Sequence, residues 1–132
     1  NSYTVAFLHS IGVKKITLSY ELKDEQIVKI ISNYKIRYNK NPNLELIVYG
    51  KEELMVSKFN LLKMYKRVEN NIYLKDRLNK LYNVIEDEDL MYIYNCKARN
   101  NLEKCNYYYS IGINNLRINL LNDSDIEKLN NI

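Results

Sequence analysis

The sequence predicts an α/β protein in which short parallel strands alternate with helices and a small antiparallel hairpin is inserted near residues 73–95. An internal repeat is the first observation behind this prediction, since residues 9–18 resemble residues 109–118 and each segment reads as a helix, a glycine and a short apolar strand. The second is a nearly continuous apolar run at residues 44–49, which is typical of a parallel strand covered on both faces. The third is the short spacing of the apolar segments within 73–95, which suits hairpins and leaves no room for crossover helices.

The first helix is predicted from an apolar stripe of Val5, Leu8 and Ile11 at helical spacing. Gly12 follows it and suits the left-handed backbone position just after a helix end. We expect the first strand near residues 14–19.

The second helix is predicted to begin near Asp24 and Glu25, because acidic side chains favour the positive end of a helix dipole. It is expected to run to about Tyr34, and its apolar face consists of Ile27, Ile30, Ile31 and Tyr34. A loop at residues 39–43 contains the only proline. The second strand, residues 44–49, is expected to end at Gly50.

The second copy of the repeat predicts a helix that ends before Gly112, a strand at residues 116–120 and a last helix at 123–130. The apolar stripe of its first helix consists of Leu102, Cys105 and Tyr109. Between the two copies, strands are expected at 73–77, 81–85 and 91–94, with a turn at 79–80. Residues 51–67 are ambiguous, with a weak helical stripe of Leu54, Phe59 and Leu62.

Composition limits the class of protein. The length of 132 residues suits a single domain with its own core, so one domain over residues 1–132 is expected. The net charge of +4 permits weak attraction to nucleic acid but does not require it. No apolar stretch approaches the ~20 residues of a membrane span. Two cysteines do not make a disulfide framework, so we expect a cytoplasmic protein without membrane contact.

Several kinds of chemistry are not expected from the residues present. His9 is the only histidine, and we place it in the last turn of a helix, where it favours the negative end of the dipole and not a catalytic pair. Cys96 and Cys105 have no histidine nearby, so we expect no metal site and interpret both as small core residues. The acidic run at residues 86–89 is interpreted as a solvated turn and not as a cation site.

Carboxylate and ammonium groups remain as candidates for chemistry. Glu21 follows the first predicted strand and Lys51 follows the second, and the carboxyl ends of parallel strands are where α/β proteins keep their working groups. The alternative interpretation is that both residues lie in ordinary surface loops. RNA contact is a second alternative, because bases stack on aromatic side chains beside cationic grooves. The aromatic and basic residues concerned are Tyr92, Tyr94, Tyr107, Tyr108, Tyr109, Lys97, Arg99 and Lys104.

Residues 47–58, Ile-Val-Tyr-Gly-Lys-Glu-Glu-Leu-Met-Val-Ser-Lys, are the most specific stretch of the chain. They resemble the signature of peptidase family U-thirty-two, the collagenase-like peptidases, in which a strand is followed by Tyr or His, Gly, Arg, two variable residues and Leu-Met-x-Ser. Further segments resemble the family in the same order along nearly the whole chain: the unit around Gly12 with residues 17–22, Leu-Lys-Asp-Arg at 74–77, Tyr-Ile-Tyr-Asn at 92–95 and Leu-Arg-Ile at 116–118.

The resemblance implies the C-terminal part of the family module, which is an incomplete or modified TIM barrel, and a parent protein that hydrolyses peptide bonds. Because the chain begins at Asn1 and not Met, we expect a fragment of a longer protein that is inactive alone. The candidate catalytic residues are then Glu21, Tyr49 and Lys51, and the candidate substrate-binding residues are Asp76 and Arg77. A peptide or protein is the expected substrate, and RNA is the expected partner under the alternative of an RNA-modification scaffold.

The chain departs from the family pattern at positions that matter for its chemistry. Relatives that carry an iron–sulfur cluster have cysteines near the positions of Asn60 and Leu90 and between residues 63 and 71, so no cluster or other cofactor is expected here. Lys51 stands in place of the usual arginine, and Asn83 in place of a proline. Strands without their barrel neighbours would expose sheet edges, so we expect a homo-oligomer or contact with the missing remainder of the protein.

Overall fold

The computed structural model describes residues 1–59, 61–64 and 72–121. The described residues form two compact units: the first contains Asn1–Gly50 and Asn100–Asn119, and the second contains the described residues between Lys51 and Arg99 together with Leu120 and Leu121. The predicted α/β class is confirmed, with helices and a six-stranded mixed sheet. The strand path of that sheet is open among the described residues, so the TIM-barrel-like arrangement implied by the family resemblance is not what they form.

The helices and strands follow the predicted order with different bounds. The helices are α1 (Ser2–Ser10), α2 (Asp24–Tyr38), α3 (Leu61–Met64) and α4 (Cys105–Ile111), with a 3₁₀ turn at Leu102–Lys104. The strands are β1 (Ile16–Thr17), β2 (Leu44–Ser57), β3 (Ile72–Lys75), β4 (Leu81–Asp87), β5 (Leu90–Asn100) and β6 (Asn115–Ile118). The sheet has the order β1-β2-β5-β4-β3, and β6 also pairs with β2. The helix expected at 123–130 lies outside the described residues.

The first unit is built on three parallel strands with β2 in the middle. Ile16 pairs with Leu44 on one side, and Leu46 pairs with Leu116 on the other, so the two copies of the sequence repeat supply the two neighbours of β2. The predicted common parallel sheet is therefore confirmed. Strands β1 and β6 are shorter than the predicted ones, because few of their residues find a partner on β2.

The core of the first unit lies between the helices and one face of β2. All four apolar residues predicted to line α2 are buried, together with Leu44, Leu46 and Val48 of β2. Val5 of α1 is also buried, but Ile11 is exposed because the helix ends at Ser10. The buried tyrosine of α4 is Tyr108 and not the predicted Tyr109, because adjacent helix positions face different directions and it is Tyr108 whose hydroxyl bonds to Asp24 of α2.

A glycine follows the helix in both copies of the repeat, as expected. Gly12 follows α1 with φ of 97°, and Gly112 caps α4 with φ of 106°, which are left-handed conformations that side chains with a Cβ adopt at a cost. His9 lies in the last turn of α1, as predicted, although its ring does more than face the helix dipole. Its Nδ1 lies 2.7 Å from the carbonyl oxygen of Val13, and its Nε2 accepts the backbone N–H of Asn43 at 3.3 Å.

Strand β2 is longer than the apolar run that predicts it. It continues through Gly50 to Ser57, so the prediction that Gly50 ends the strand is wrong. Gly50 has φ of 137°, and the pairing of β2 with β6 shifts between Ile47 and Tyr49, so the strand bends there and goes on. Leu54 consequently lies in a strand and not in a helix.

The second unit contains the predicted antiparallel insertion. Tyr73 pairs with Asn83, and Val84 pairs with Ile93, so β3, β4 and β5 form a meander. The acidic run at 86–89 is exposed, as expected: Glu86 and Asp87 end β4, and Glu88, at φ of 53°, and Asp89 form the turn to β5. Among the described residues, no helix is both long and apolar enough to cross a membrane.

Candidate functional site

The carboxyl ends of the three parallel strands are joined by hydrogen bonds within the first unit. The backbone N–H of Asn119, just after β6, donates to the carbonyl oxygen of Tyr49 in β2 at 2.8 Å. The side-chain amide of the same residue donates to the hydroxyl of Tyr20, which lies in the loop after β1, at 3.0 Å. Asn119 therefore connects the loop after β1 and the end of β6 with the point of β2 where its parallel pairing ends, at the edge where α/β proteins place their working groups.

Tyr49 lies at this edge as the sequence predicts, although it lies within β2 and not at its end. Unlike its neighbour Val48, it does not belong to the core cluster that packs against the helices. The residue is 5 % exposed, and its hydroxyl makes no hydrogen bond to any residue that the structure describes. A buried phenol usually has a partner, so this hydroxyl is available for one.

Glu21 lies in the loop that follows β1, next to Tyr20, and is exposed. Its backbone N–H donates to the hydroxyl oxygen of Ser19 at 3.3 Å, which shapes the turn. Within the described part of the chain, the Glu21 carboxylate has no hydrogen bond or ion pair. The described residues therefore indicate no structural role for the Glu21 carboxylate.

Lys51 belongs to the second unit, and its expected position past the end of a strand is wrong because β2 continues to Ser57. Its ammonium donates to the side-chain carbonyl oxygen of Asn83 in β4. Asn83 is buried, and Lys51 is half-buried. A side-chain amide oxygen on β4 thus accepts a hydrogen bond from the ammonium of a lysine on β2.

Asp76 and Arg77 lie in the turn between β3 and β4. The Asp76 carboxylate accepts the backbone N–H groups of Leu78 at 2.7 Å and Lys80 at 2.9 Å, and it also accepts the Tyr82 hydroxyl at 3.2 Å. These bonds, that of Lys80 first, hold the pKa of Asp76 below its usual value. Arg77 is exposed and has no side-chain partner among the described residues, so Asp76 orders the turn and does not orient Arg77.

A buried carboxylate that sequence reasoning missed lies at the opposite, amino-terminal edge of the parallel strands. Glu45 accepts hydrogen bonds from the Lys15 ammonium at 2.6 Å and the Thr17 hydroxyl at 2.8 Å, and Arg117 lies 3.8 Å away. The hydrogen bond from Lys15 is the largest cause of a lowered pKa of Glu45, which burial partly opposes. The sequence signal for this group is a charged residue inside the apolar run at 44–49. Because Glu45 lies at the amino-terminal edge of the parallel strands, we interpret its role as stabilising the fold.

The residues of the RNA interpretation are distributed over both units. In the second unit, the rings of Tyr92 and Tyr94 stack with centroids 6.5 Å apart, and Arg99 forms an ion pair with Glu52. In the first unit, Tyr108 is buried, while Tyr107 and Tyr109 remain partly exposed on α4. Lys104 pairs with Asp24 at 3.0 Å. Two of the three basic residues therefore have carboxylate partners, which lowers the positive potential that a phosphate backbone needs.

The donor set for a metal centre is small. No cluster of three or more His, Cys, Asp or Glu side chains in the described ranges is arranged to bind a metal ion. Cys96 and Cys105 are half-buried free thiols. An iron–sulfur cluster requires four ligands, normally thiolates, and the chain has two cysteines, so its residues do not fit that group.

The described residues define an α/β protein whose mixed sheet is open. Its polar edge lies where the parallel pairing of β1, β2 and β6 ends. Comparison with known proteins gives no match: no family model, no curated protein and no solved structure is significantly similar to the chain.

Proposed function

We propose that this chain is the C-terminal part of a collagenase-like peptidase related to family U-thirty-two, and that peptide bonds are hydrolysed at the carboxyl edge of β1, β2 and β6. The observation that carries the proposal is the contact of Asn119 with both Tyr20 and Tyr49, beside the unpaired carboxylate of Glu21. The ordered set of motifs along the chain supports the same assignment.

The groups at this edge suit the polar steps of amide hydrolysis. Glu21 acts as the general base or acid that moves a proton between water and the leaving amine. The Tyr49 hydroxyl donates a hydrogen bond to the substrate carbonyl, whose oxygen gains negative charge as water adds to the carbon. No nucleophilic side chain is identified at this edge, so attack by water requires a further residue or a metal from outside this chain.

The second unit, taken by itself, has two candidates for binding charged groups of a peptide. Lys51 donates to Asn83 through one of its three N–H bonds and keeps the others for a carboxylate of the peptide. Arg77 extends from the β3–β4 turn and presents a guanidinium without an internal partner in the described part of the chain. We propose peptide or protein substrates as partners, together with self-association or contact with the rest of the parent protein through exposed strand edges.

The test is hydrolysis of gelatin and of a fluorogenic collagen-like peptide by the parent protein. We expect Glu21→Gln to lower turnover at least tenfold. Loss of a general acid or base typically lowers turnover by a factor of about 10²–10⁴. Glu25→Gln is the matched control, because Glu25 is an exposed carboxylate in the first turn of α2. Tyr49→Phe should lower kcat without raising KM. Unchanged turnover of the Glu21 variant removes that residue from the site, and no hydrolysis by the unmodified protein rejects the peptidase assignment.

RNA binding is the second candidate, and the pairing of Arg99 and Lys104 with carboxylates makes it the weaker one. It predicts an affinity for single-stranded RNA that falls steeply with salt, because phosphate contacts release counterions. Binding at micromolar protein with a steep salt slope, combined with no hydrolysis of gelatin, would replace the peptidase proposal with this one.

A further inference from the structure

The first unit contains a cleft of about 440 Å³ between α1 and α2 that the proposed function does not use. Four aromatic residues, Tyr3, Phe7, Tyr34 and Tyr38, form half of its lining, and Lys40 and His9 supply polar groups. Small-molecule sites are typically clefts of roughly 300–1,000 Å³ with aromatic walls and a few polar groups. The cleft lies where α1 and α2 end, just before β1 and β2 begin, so it belongs to the edge opposite the one that carries Glu21.

Tyr34 gives the strongest indication that the cleft binds a ligand. The residue is 3 % exposed, and its hydroxyl makes no hydrogen bond to any residue in the described ranges. Its ring is held by Tyr38, with centroids 4.7 Å apart, and by the edge of the His9 ring at 6.0 Å. An unpaired buried hydroxyl is costly in the free protein, and a ligand oxygen in the cleft would satisfy it.

The walls of the cleft are more exposed than apolar side chains of this size usually are. Tyr3 and Phe7 lie one helical turn apart on α1 and are 65 % and 61 % exposed. The guanidinium of Arg37 lies 3.9 Å above the ring of Tyr3 and holds it by a cation–π contact. Both nitrogens of His9 are used internally, by Val13 and Asn43, so His9 shapes the wall and does not bind the ligand.

The charge of the cleft favours an anionic group. Lys40 has no ion pair with any residue that the structure describes, and it is the only Lys or Arg in the lining. The C-terminal ends of α1 and α2 carry partial negative charge at this edge. Part of that charge is offset, because backbone N–H groups donate to the carbonyl oxygens of Phe7 and Leu8 in α1 and of Lys35 in α2. A full ammonium charge outweighs what remains.

We propose that this cleft binds a planar aromatic carboxylate of up to two fused rings. The ring system packs among the side chains of Tyr3, Phe7 and Tyr38, the carboxylate pairs with Lys40, and the Tyr34 hydroxyl donates to a ligand oxygen. Such a ligand would explain three features together: exposed aromatic walls, and a buried hydroxyl and an ammonium that have no partner among the residues the structure describes.

The test is titration of the purified full chain with 2-naphthoate, followed by ligand fluorescence and calorimetry. We expect Lys40→Met to weaken binding about tenfold, as loss of one charge-assisted hydrogen bond does. Lys35→Met is the matched control and should leave the affinity unchanged, since Lys35 is exposed on α2 and does not line the cleft. Phe7→Ala should remove most of the binding, whereas Ile36→Ala, which changes an even more exposed apolar residue of α2, should not.

Tyr34→Phe separates a binding role from a structural one. If the Tyr34 hydroxyl binds the ligand, its removal should weaken 2-naphthoate binding several-fold and leave the Tm of the free protein unchanged or higher. A lower Tm with unchanged affinity would overturn the role of Tyr34. Absence of binding at millimolar 2-naphthoate, equal affinity for neutral 2-naphthamide, or tighter binding of 2-naphthylmethylammonium would overturn the proposal.

Discussion

The backbone of Gly50 lies so close to Asn119 that a Cβ atom added at Gly50 would overlap the carbonyl oxygen of Asn119. Gly50 also has φ of 137°, a conformation that residues with side chains rarely adopt. The absence of a side chain thus lets the chain after β6 approach β2, where Asn119 then bonds to Tyr49 and Tyr20. The polar edge proposed as the active site depends on this close approach.

Gly50→Ala is therefore expected to destabilise the protein by about 3 kcal/mol, because backbone strain and steric overlap act together. Gly12→Ala is the control, since Gly12 also has a positive φ but has open space where a Cβ would lie, and it should cost only about 1 kcal/mol. Urea unfolding of both variants measures the difference. Equal losses would show that the approach of Asn119 is not what requires glycine at position 50.

The Glu45 cluster predicts a pH dependence of stability. The pKa of Glu45 is lower in the folded protein than in the unfolded chain, mainly because Lys15 donates a hydrogen bond to the carboxylate. The folded state therefore gains stability from Glu45 above the pKa of an unfolded glutamate, and loses it as the pH falls through the lower folded pKa. Stability should decline as the pH falls below about 4.5, the ordinary glutamate value.

Glu45→Gln tests this origin of the acid sensitivity. We expect a loss of about 1–2 kcal/mol at pH 7, because the bonds from Lys15 and Thr17 lose a charged acceptor. The difference from the unmodified protein should shrink as the pH falls below about 4.5 and the Glu45 carboxylate becomes protonated. Glu53→Gln, at an exposed position of the same strand, should change neither the stability nor its pH profile. A gap between Glu45→Gln and the unmodified protein that stays constant with pH would contradict the assignment.

The contact of Lys51 with Asn83 predicts an energetic coupling between β2 and β4. A double-mutant cycle with Lys51→Met and Asn83→Leu should give a coupling energy of about 1 kcal/mol, as expected for contacting residues. Each single variant leaves a polar group without its partner, so the double variant should be more stable than the sum of the two losses predicts. Strictly additive losses in urea unfolding would show that the ammonium and the amide act independently.

Asp76 is predicted to order the β3–β4 turn. Asp76→Ala should accelerate hydrogen exchange of the Leu78 and Lys80 amides, because the carboxylate accepts both. Asp76→Asn keeps a neutral acceptor and should have a smaller effect, and Arg77→Ala should have none. If Asp76→Ala leaves exchange unchanged but weakens substrate binding, Asp76 belongs to the binding residues and not to the turn.

The sequence predicted the regular parts of the fold because their signals are local. The face of α2, the glycines after α1 and α4 and the hairpin spacing of β3 to β5 each depend on residues close in the chain. The parallel arrangement was also predictable, since two copies of one helix–glycine–strand unit flank a single apolar strand. Positions within one turn were less certain, and packing against α2 buried Tyr108 where the stripe predicted Tyr109.

Side-chain partners are the part that only the tertiary structure decided. In the sequence, Glu45 only interrupts an apolar strand. Its partners Lys15 and Arg117 lie 30 and 72 positions away in the chain, and only the structure brings them to the carboxylate. Gly50 reads as the end of β2 until Asn119 is seen to occupy the space where a side chain would lie. Periodicity fixes which face of an element is apolar, but the chain segments that meet at that face come from distant parts of the sequence. Their partners are chosen by packing in three dimensions.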